Sequence, residues 1–235
     1  MELAVSASQL LLESVGNADT TIKYINKFRF LKKIGPGQTL TLNLKYIKDT
    51  EHGQEIDAAI FIKDERVSYG SFLVSKKPQN KAQESCRQFL TEGYQRYNTK
   101  MPRLAMGTAE IAKLLPHRYP FIHIDGIIEL IPGQRIKTLK NISANDYVFW
   151  GKEPGTPFPP LLMLEGLQGS AIVCNSRLPL MSLLSGVSFL GDVYPGDQMI
   201  VEISVLKTIS DKHIITGNIT VGNQVVFNLE NAFLM

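Results

Sequence analysis

The feature that most constrains this chain is an internal repeat. Residues 28–38, Phe-Arg-Phe-Leu-Lys-Lys-Ile-Gly-Pro-Gly-Gln, match residues 187–197, Val-Ser-Phe-Leu-Gly-Asp-Val-Tyr-Pro-Gly-Asp, with Pro36-Gly37 in register with Pro195-Gly196. After each Pro-Gly turn the apolar residues alternate: Leu40, Leu42 and Leu44 in the first copy, Met199, Val201 and Ile203 in the second. Period-two alternation places those side chains on one buried sheet face. Each copy then predicts a third strand, a short turn (Lys63-Asp64-Glu65; Gly222-Asn223) and a last strand reaching Ser71-Phe72-Leu73 or Ala232-Phe233-Leu234. Repetition of a whole supersecondary unit constrains architecture more than any single element does.

The second copy has more in front of it. Residues 160–175 are apolar nearly all round, as in a helix enclosed by protein. Pro160 suits a first helical turn, and Gly166, Gly169 and Ser170 would let the backbone lie close to a sheet. Strands are expected at about 124–130, 135–142, 187–192, 198–206, 212–221 and 224–234. Thr108 is expected to cap a brief helix, 109–115, that Pro116 ends. In the first copy, residues 1–8 fall where 164–170 fall in the second. Glu2 is then either the counterpart of Glu165 or simply an acid in a first helical turn. On that alignment the first copy lacks counterparts of the strands before residue 141. Either this unit is naturally short or an upstream segment is missing.

Between the copies, residues 75–108 change character. Lys76-Lys77-Pro78-Gln79-Asn80-Lys81 is polar, and Cys86, Phe89, Leu90, Gly93 and Tyr97 recur at helical spacing, predicting a short amphipathic linker helix. The organisation expected is a truncated repeat at 1–75, a linker at 76–108 and a complete unit at 109–235. A curved antiparallel sheet around one long helix is a hot dog, so the fold class is α+β, a double hot dog with sheets paired side by side.

Bulk properties exclude several functions. The 235 residues suffice for one large or two small domains, and 44% hydrophobic with 20% charged residues is the composition of a packed globule. A net charge of +3 does not argue for nucleic acid but suits an acidic partner. Two cysteines, Cys86 and Cys174, make no disulfide framework, and Cys174 reads as a small core residue. No apolar run approaches the ~18 residues of a membrane span, and the N-terminus lacks the basic opening of a secretory signal, so a cytoplasmic protein is expected.

Three spaced motifs carry the functional reading: Leu115-Pro116-His117-Arg118-Tyr119-Pro120-Phe121, then Gly151-Lys152-Glu153-Pro154-Gly155, then Phe158-Pro159-Pro160-Leu161-Leu162-Met163-Leu164-Glu165. Together with the 187–197 strand and turn they resemble the FabZ-type 3-hydroxyacyl-(acyl carrier protein) dehydratases, over roughly residues 109–235. In that family the middle element usually reads Gly-His-Phe-Pro-Gly and supplies the catalytic histidine. Here Lys152 stands at the histidine position and Glu153 at the phenylalanine. The resemblance implies a site between two hot dogs, with Glu165, Lys152 and Glu2 as the catalytic set and Gly155, Phe158, Pro160 and Leu161 along the substrate. It also implies an acyl thioester substrate on acyl carrier protein, and assembly with itself or another hot-dog protein.

The chemistry needs a base for the C2 proton, an acid for the departing 3-hydroxyl, and N–H donors for the thioester oxygen. Lysine, with a reference pKa of ~10.4, is a poor base at neutral pH, so an ion pair between Lys152 and a glutamate is the favoured reading over a catalytic lysine. Glu165 reads either as a helix N-terminal acid or as a functional carboxylate, because an unpaired carboxylate buried in an apolar helix is costly. His117 lies in the first motif and His123 follows it in the same stretch; His52 and His213 fall in expected hairpin loops. No histidine pair has metal-ligand spacing and no nucleotide-binding loop occurs, so no metal or other cofactor is expected. Three readings stay open: a dehydratase that is weak alone, a non-catalytic acyl-binding or partner subunit, and a hot-dog thioesterase.

Overall fold

A computed structural model of the chain describes residues 20–35, 37–76, 103–118, 120–175, 181–210 and 212–235. The predicted N-terminal helix with Glu2, and the linker helix with Cys86, lie outside the described residues.

Among the described residues, eleven strands form one antiparallel sheet. The first copy contributes β1 (Thr20–Phe30), β2 (Leu40–Thr50), β3 (Gly53–Ile62) and β4 (Glu65–Lys76). The second part contributes β5 (Met106–Gly107), α1 (Thr108–Leu114), β6 (Gly126–Ile131), β7 (Arg135–Asn141), a 3-10 turn (Tyr147–Phe149) and α2 (Pro160–Asn175). It ends in β8 (Met181–Phe189), β9 (Gln198–Ile209), β10 (Lys212–Val221) and β11 (Gln224–Leu234). The strand order is β2-β3-β4-β1-β8-β11-β10-β9-β7-β6-β5.

A constant offset of 159, from Gly37 to Gly196, carries β2, β3 and β4 onto β9, β10 and β11. The seam where the copies meet obeys the same offset. Ile25 pairs with Val187 and Phe28 with Leu184, and shifting by 159 exchanges the two pairs. The copies are therefore related by a pseudo-twofold axis through the β1–β8 pairing. All four side chains are fully buried. The side-by-side pairing expected from the repeat is the observed arrangement, and this is the double hot dog.

Helix α2 lies against β7 and β9, and two of its glycines face the segment that leads into β6. A Cβ on Gly166 would stand 3.3 Å from the His123 carbonyl oxygen, and one on Gly169 would stand 3.2 Å from Ile124 Cδ1. Ser170 donates to the Gly166 carbonyl at 2.9 Å, and its Oγ lies 2.8 Å from Thr138 Oγ1 on β7. Strand β7 starts beside the C-terminal end of α2, where the Gly133 N–H donates to the Cys174 carbonyl at 2.8 Å. It thus runs toward the N-terminal end of the helix, and Lys140 lies closer to that end than Thr138 does.

Several local expectations need correction. Strand β8 begins at Met181, earlier than expected, since Leu183 and Leu184 extend the seam with β1. The cap of α1 is Gly107, whose N–H donates to the Glu110 carboxylate at 3.0 Å, while the Thr108 hydroxyl donates to the Asp125 carbonyl at 2.9 Å. His213 is inside β10, not in a loop, with Nδ1 3.0 Å from Thr208 Oγ1. His52 does lie in the β2–β3 turn.

Candidate active site

The segment from Ile142 to Pro160 is built as a strap fastened to the turn after β8. Asp197, buried, accepts the Tyr194 N–H at 2.9 Å and closes the Pro-Gly turn. The Ile142 N–H donates to the Asp197 carbonyl at 2.9 Å, and the Gly196 N–H returns a bond to the Ile142 carbonyl at 2.7 Å. At the other end, the Phe158 N–H donates to the Val193 carbonyl at 2.7 Å, so the entry to α2 is fixed by the same turn. Two glycines shape what lies between. Gly151 (φ +69°) and Gly155 (φ +84°) occupy left-handed backbone, and a Cβ on Gly151 would meet nothing, so conformation and not space selects glycine there. The Lys152 N–H donates to the Phe149 carbonyl at 3.0 Å, and both the N–H and the hydroxyl of Thr156 donate to the Glu153 carbonyl, at 3.1 and 2.7 Å.

On this strap Lys152 and Glu153 are exposed. Lys152 makes no ion pair with a described residue, and Glu2, the glutamate expected opposite it, lies outside the described residues. Glu165 is likewise exposed. Leu161, Glu165 and Gln168 fall at helical i, i+4 and i+7 and form a stripe along the first three turns of α2 that is not fully enclosed. The enclosed carboxylate expected from an all-apolar helix is thus not what forms. Gly155 is exposed, Pro160 and Leu161 are half-buried, and Phe158 is core, its ring 6.2 Å from that of His123 and 6.3 Å from that of Phe149.

Sequence reasoning passed over a buried polar cluster beside the N-terminal half of α2. Lys140 Nζ lies 3.4 Å from Asp125 Oδ2 and 3.7 Å from Asp146 Oδ2 and donates to the Asn141 carbonyl at 2.9 Å. Its ammonium therefore joins the segment before β6 to the turn that opens the strap. His123, 6% exposed, has Nε2 without a hydrogen-bond partner among the described residues. Burial holds its pKa below the usual histidine range and the Lys140 charge adds to this, against Asp146 and Asp125. The signal was available in part: Ile136, Thr138 and Lys140 alternate along β7, which turns Lys140 inward with Thr138. Nothing local marks its two aspartate partners. Tyr194, whose hydroxyl lies 3.4 Å from Asp192 Oδ2, is pushed up to about 12 by burial and that carboxylate, so it remains a donor. Among the described residues no group of histidine, cysteine and acidic side chains could hold a metal ion, and no helix is long and apolar enough to cross a membrane.

The architecture is shared with solved double hot dogs. The tesB protein of Mycobacterium avium subspecies paratuberculosis superposes with a TM-score of 0.57 at 14% identity, over 98% of this chain and 84% of that one. The dehydratase domain of RzxB from Pseudomonas fluorescens gives 0.58 at 11% identity, over 99% and 83%. At these identities the likeness defines the fold alone. No family model matches the chain. Curated relatives are more telling. The 3-hydroxyacyl-(acyl carrier protein) dehydratase FabZ of Hydrogenobaculum sp. is 43% identical over 134 residues, 52% of this chain and 88% of that protein. The FabZ of Enterococcus faecalis is 34% identical over 134 residues, 54% of this chain and 95% of that protein. The chain belongs to the FabZ family.

Proposed function

We propose that this protein binds 3-hydroxyacyl or 2-enoyl thioesters carried on acyl carrier protein and interconverts them only slowly by itself. Membership of the FabZ family supports the substrate class. One observation carries the qualification: Lys152, at the position of the family's Gly-His-Phe-Pro-Gly histidine, is exposed on a glycine-shaped turn without an ion pair to any described residue.

In dehydration the C2–H bond breaks, its electron pair forms the C2–C3 double bond, and the 3-hydroxyl leaves with a proton as water. A lysine ammonium has no lone pair for the C2 proton. The N–H groups that open α2 and the Glu165 carboxylate remain suited to the thioester oxygen and the departing hydroxyl. Binding is thus retained while proton abstraction is impaired, which fits an arrangement in which a second hot-dog chain completes the site.

The test is hydration of crotonyl-carrier protein by the isolated chain. Loss of a positioned base typically costs about 10²- to 10⁴-fold, so turnover is expected to be slow by that factor relative to a histidine-bearing family member. Lys152→His is expected to raise it and Lys152→Ala is not. Glu165→Gln reports whether the carboxylate contributes. Fast turnover that survives Lys152→Ala would overturn the assignment of the centre. Release of free thiol would instead assign a thioesterase, and binding with no turnover in any variant a partner subunit.

A further inference from the structure

The outer face of the first copy holds a trough of about 420 Å³ that crosses four strands. Strand register sets its geometry. One row runs Lys45, Asp57, Ser71, Lys27, and the next runs Asn43, Ala59, Tyr69, Arg29. Asp57, Ser71, Ala59 and Tyr69 form the floor, and Lys45 on β2 stands opposite Lys27 and Arg29 on β1. Three strand spacings separate those walls, roughly 14 Å. Arg66 rises over the Tyr69 ring, its guanidinium carbon 4.3 Å from the ring centroid. Lys27, Arg29, Lys45 and Arg66 are all exposed, and none forms a salt bridge with a described residue. Asp57 is the one acid in the lining, so the trough carries a formal charge of four cations less one anion, +3.

The repeat supplies an internal comparison. Shifted by 159, the five charged positions become Gly186, Ser188, Ser204, Val225 and Thr216, while Asn43 and Ser71 become Glu202 and Glu230. The pseudo-symmetric face of the second copy therefore has no cation at any of these positions and carries two acids, one of them paired with Lys137. Strand register does not account for this difference, because β1 to β4 pair with one another as β8 to β11 do.

We infer that the trough is a docking site for an acidic helix of acyl carrier protein. The width between its walls accepts an α-helix, about 10–12 Å across with its side chains, and cations on both walls would meet carboxylates along both flanks of that helix. The identity of the partner rests on the proposed function; the sign and shape of the surface do not. The site is assembled across strands and is not the basic run of one strand. Lys32 pairs with Glu65 away from the trough, and Lys45 and Arg66 arrive from other strands.

The experiment titrates the full chain with apo acyl carrier protein, which has no acyl arm and so reports docking apart from catalysis. Binding is expected to weaken with added salt and to fall about tenfold in Lys27→Glu/Lys45→Glu. Lys27→Gln/Lys45→Gln, a milder change should the reversal perturb folding, is expected to fall between the two. Ser188→Glu/Ser204→Glu on the second copy is expected to leave binding unchanged. Equal affinity for wild type and both Lys27/Lys45 variants, or preference for single-stranded DNA or inorganic phosphate over the carrier, would overturn the inference. Hydration of an enoyl N-acetylcysteamine thioester, which lacks the carrier, is measured alongside. Its failure would count against the catalytic reading and leave the docking result standing.

Discussion

Phe28 on β1 stands directly across the seam from Leu184 on β8, and both are fully buried. Together with Ile25 and Val187 they are the apolar centre of the pseudo-twofold axis, so the two copies share one core. Phe28→Ala is expected to cost about 3–5 kcal/mol, as for other buried phenylalanines. Because the seam is common to both halves, loss should appear as one cooperative transition shifted to lower denaturant. Two separated transitions by tryptophan fluorescence and circular dichroism would show that the halves fold independently.

The contact between α2 and β7 has a fixed direction. Ser170 spends its only hydroxyl proton on the Gly166 carbonyl, so Thr138 must donate to Ser170 Oγ. Ser170→Ala strands the buried Thr138 hydroxyl and is expected to cost about 1–3 kcal/mol, more than Thr138→Val at about 1 kcal/mol. The double variant should recover part of the Ser170→Ala loss. Additive effects in urea unfolding would contradict the shared bond.

His123 makes stability depend on pH. Its folded pKa lies below the unfolded value of about 6.5 because burial disfavours the imidazolium, so the unfolded chain binds the proton more readily. Its contribution is therefore full above about pH 6.5 and is lost as pH falls from there through the depressed folded value. Wild-type thermal midpoints are expected to drop across that window. His123→Leu should flatten this part of the profile, and an unchanged slope would rule out His123 as its source.

Strand β2 has an unshared edge among the described residues. Its counterpart β9 pairs with β7 from Arg135↔Ser204 to Asn141↔Gln198, and the first copy offers no described strand in that place. Unpaired edge groups recruit other strands. The protein is expected to sediment as a dimer or to assemble with another hot-dog chain. A single monomeric species at micromolar concentration would refute this.

Much of the architecture was legible in the chain itself. Strand alternation and the two Pro-Gly turns are local signals, and a repeat of the same signals forces two similar units whose apolar faces need a common core. The three spaced motifs likewise identified the family without reference to coordinates, because their order and residue types are written in the sequence. What tertiary structure decided was which side chains meet and which meet water. Composition made α2 look enclosed, yet packing against β7 and β9 leaves Leu161, Glu165 and Gln168 on an open stripe. The partners of Lys140 lie 15 residues before it and 6 after it in sequence, Asp125 and Asp146, and only the strap brings them to one ammonium. The basic trough is the extreme case, since Lys27, Lys45 and Arg66 come from three strands and become neighbours through register alone. Burial, charge pairing and surface shape depend on such long-range juxtaposition, which sequence periodicity does not encode.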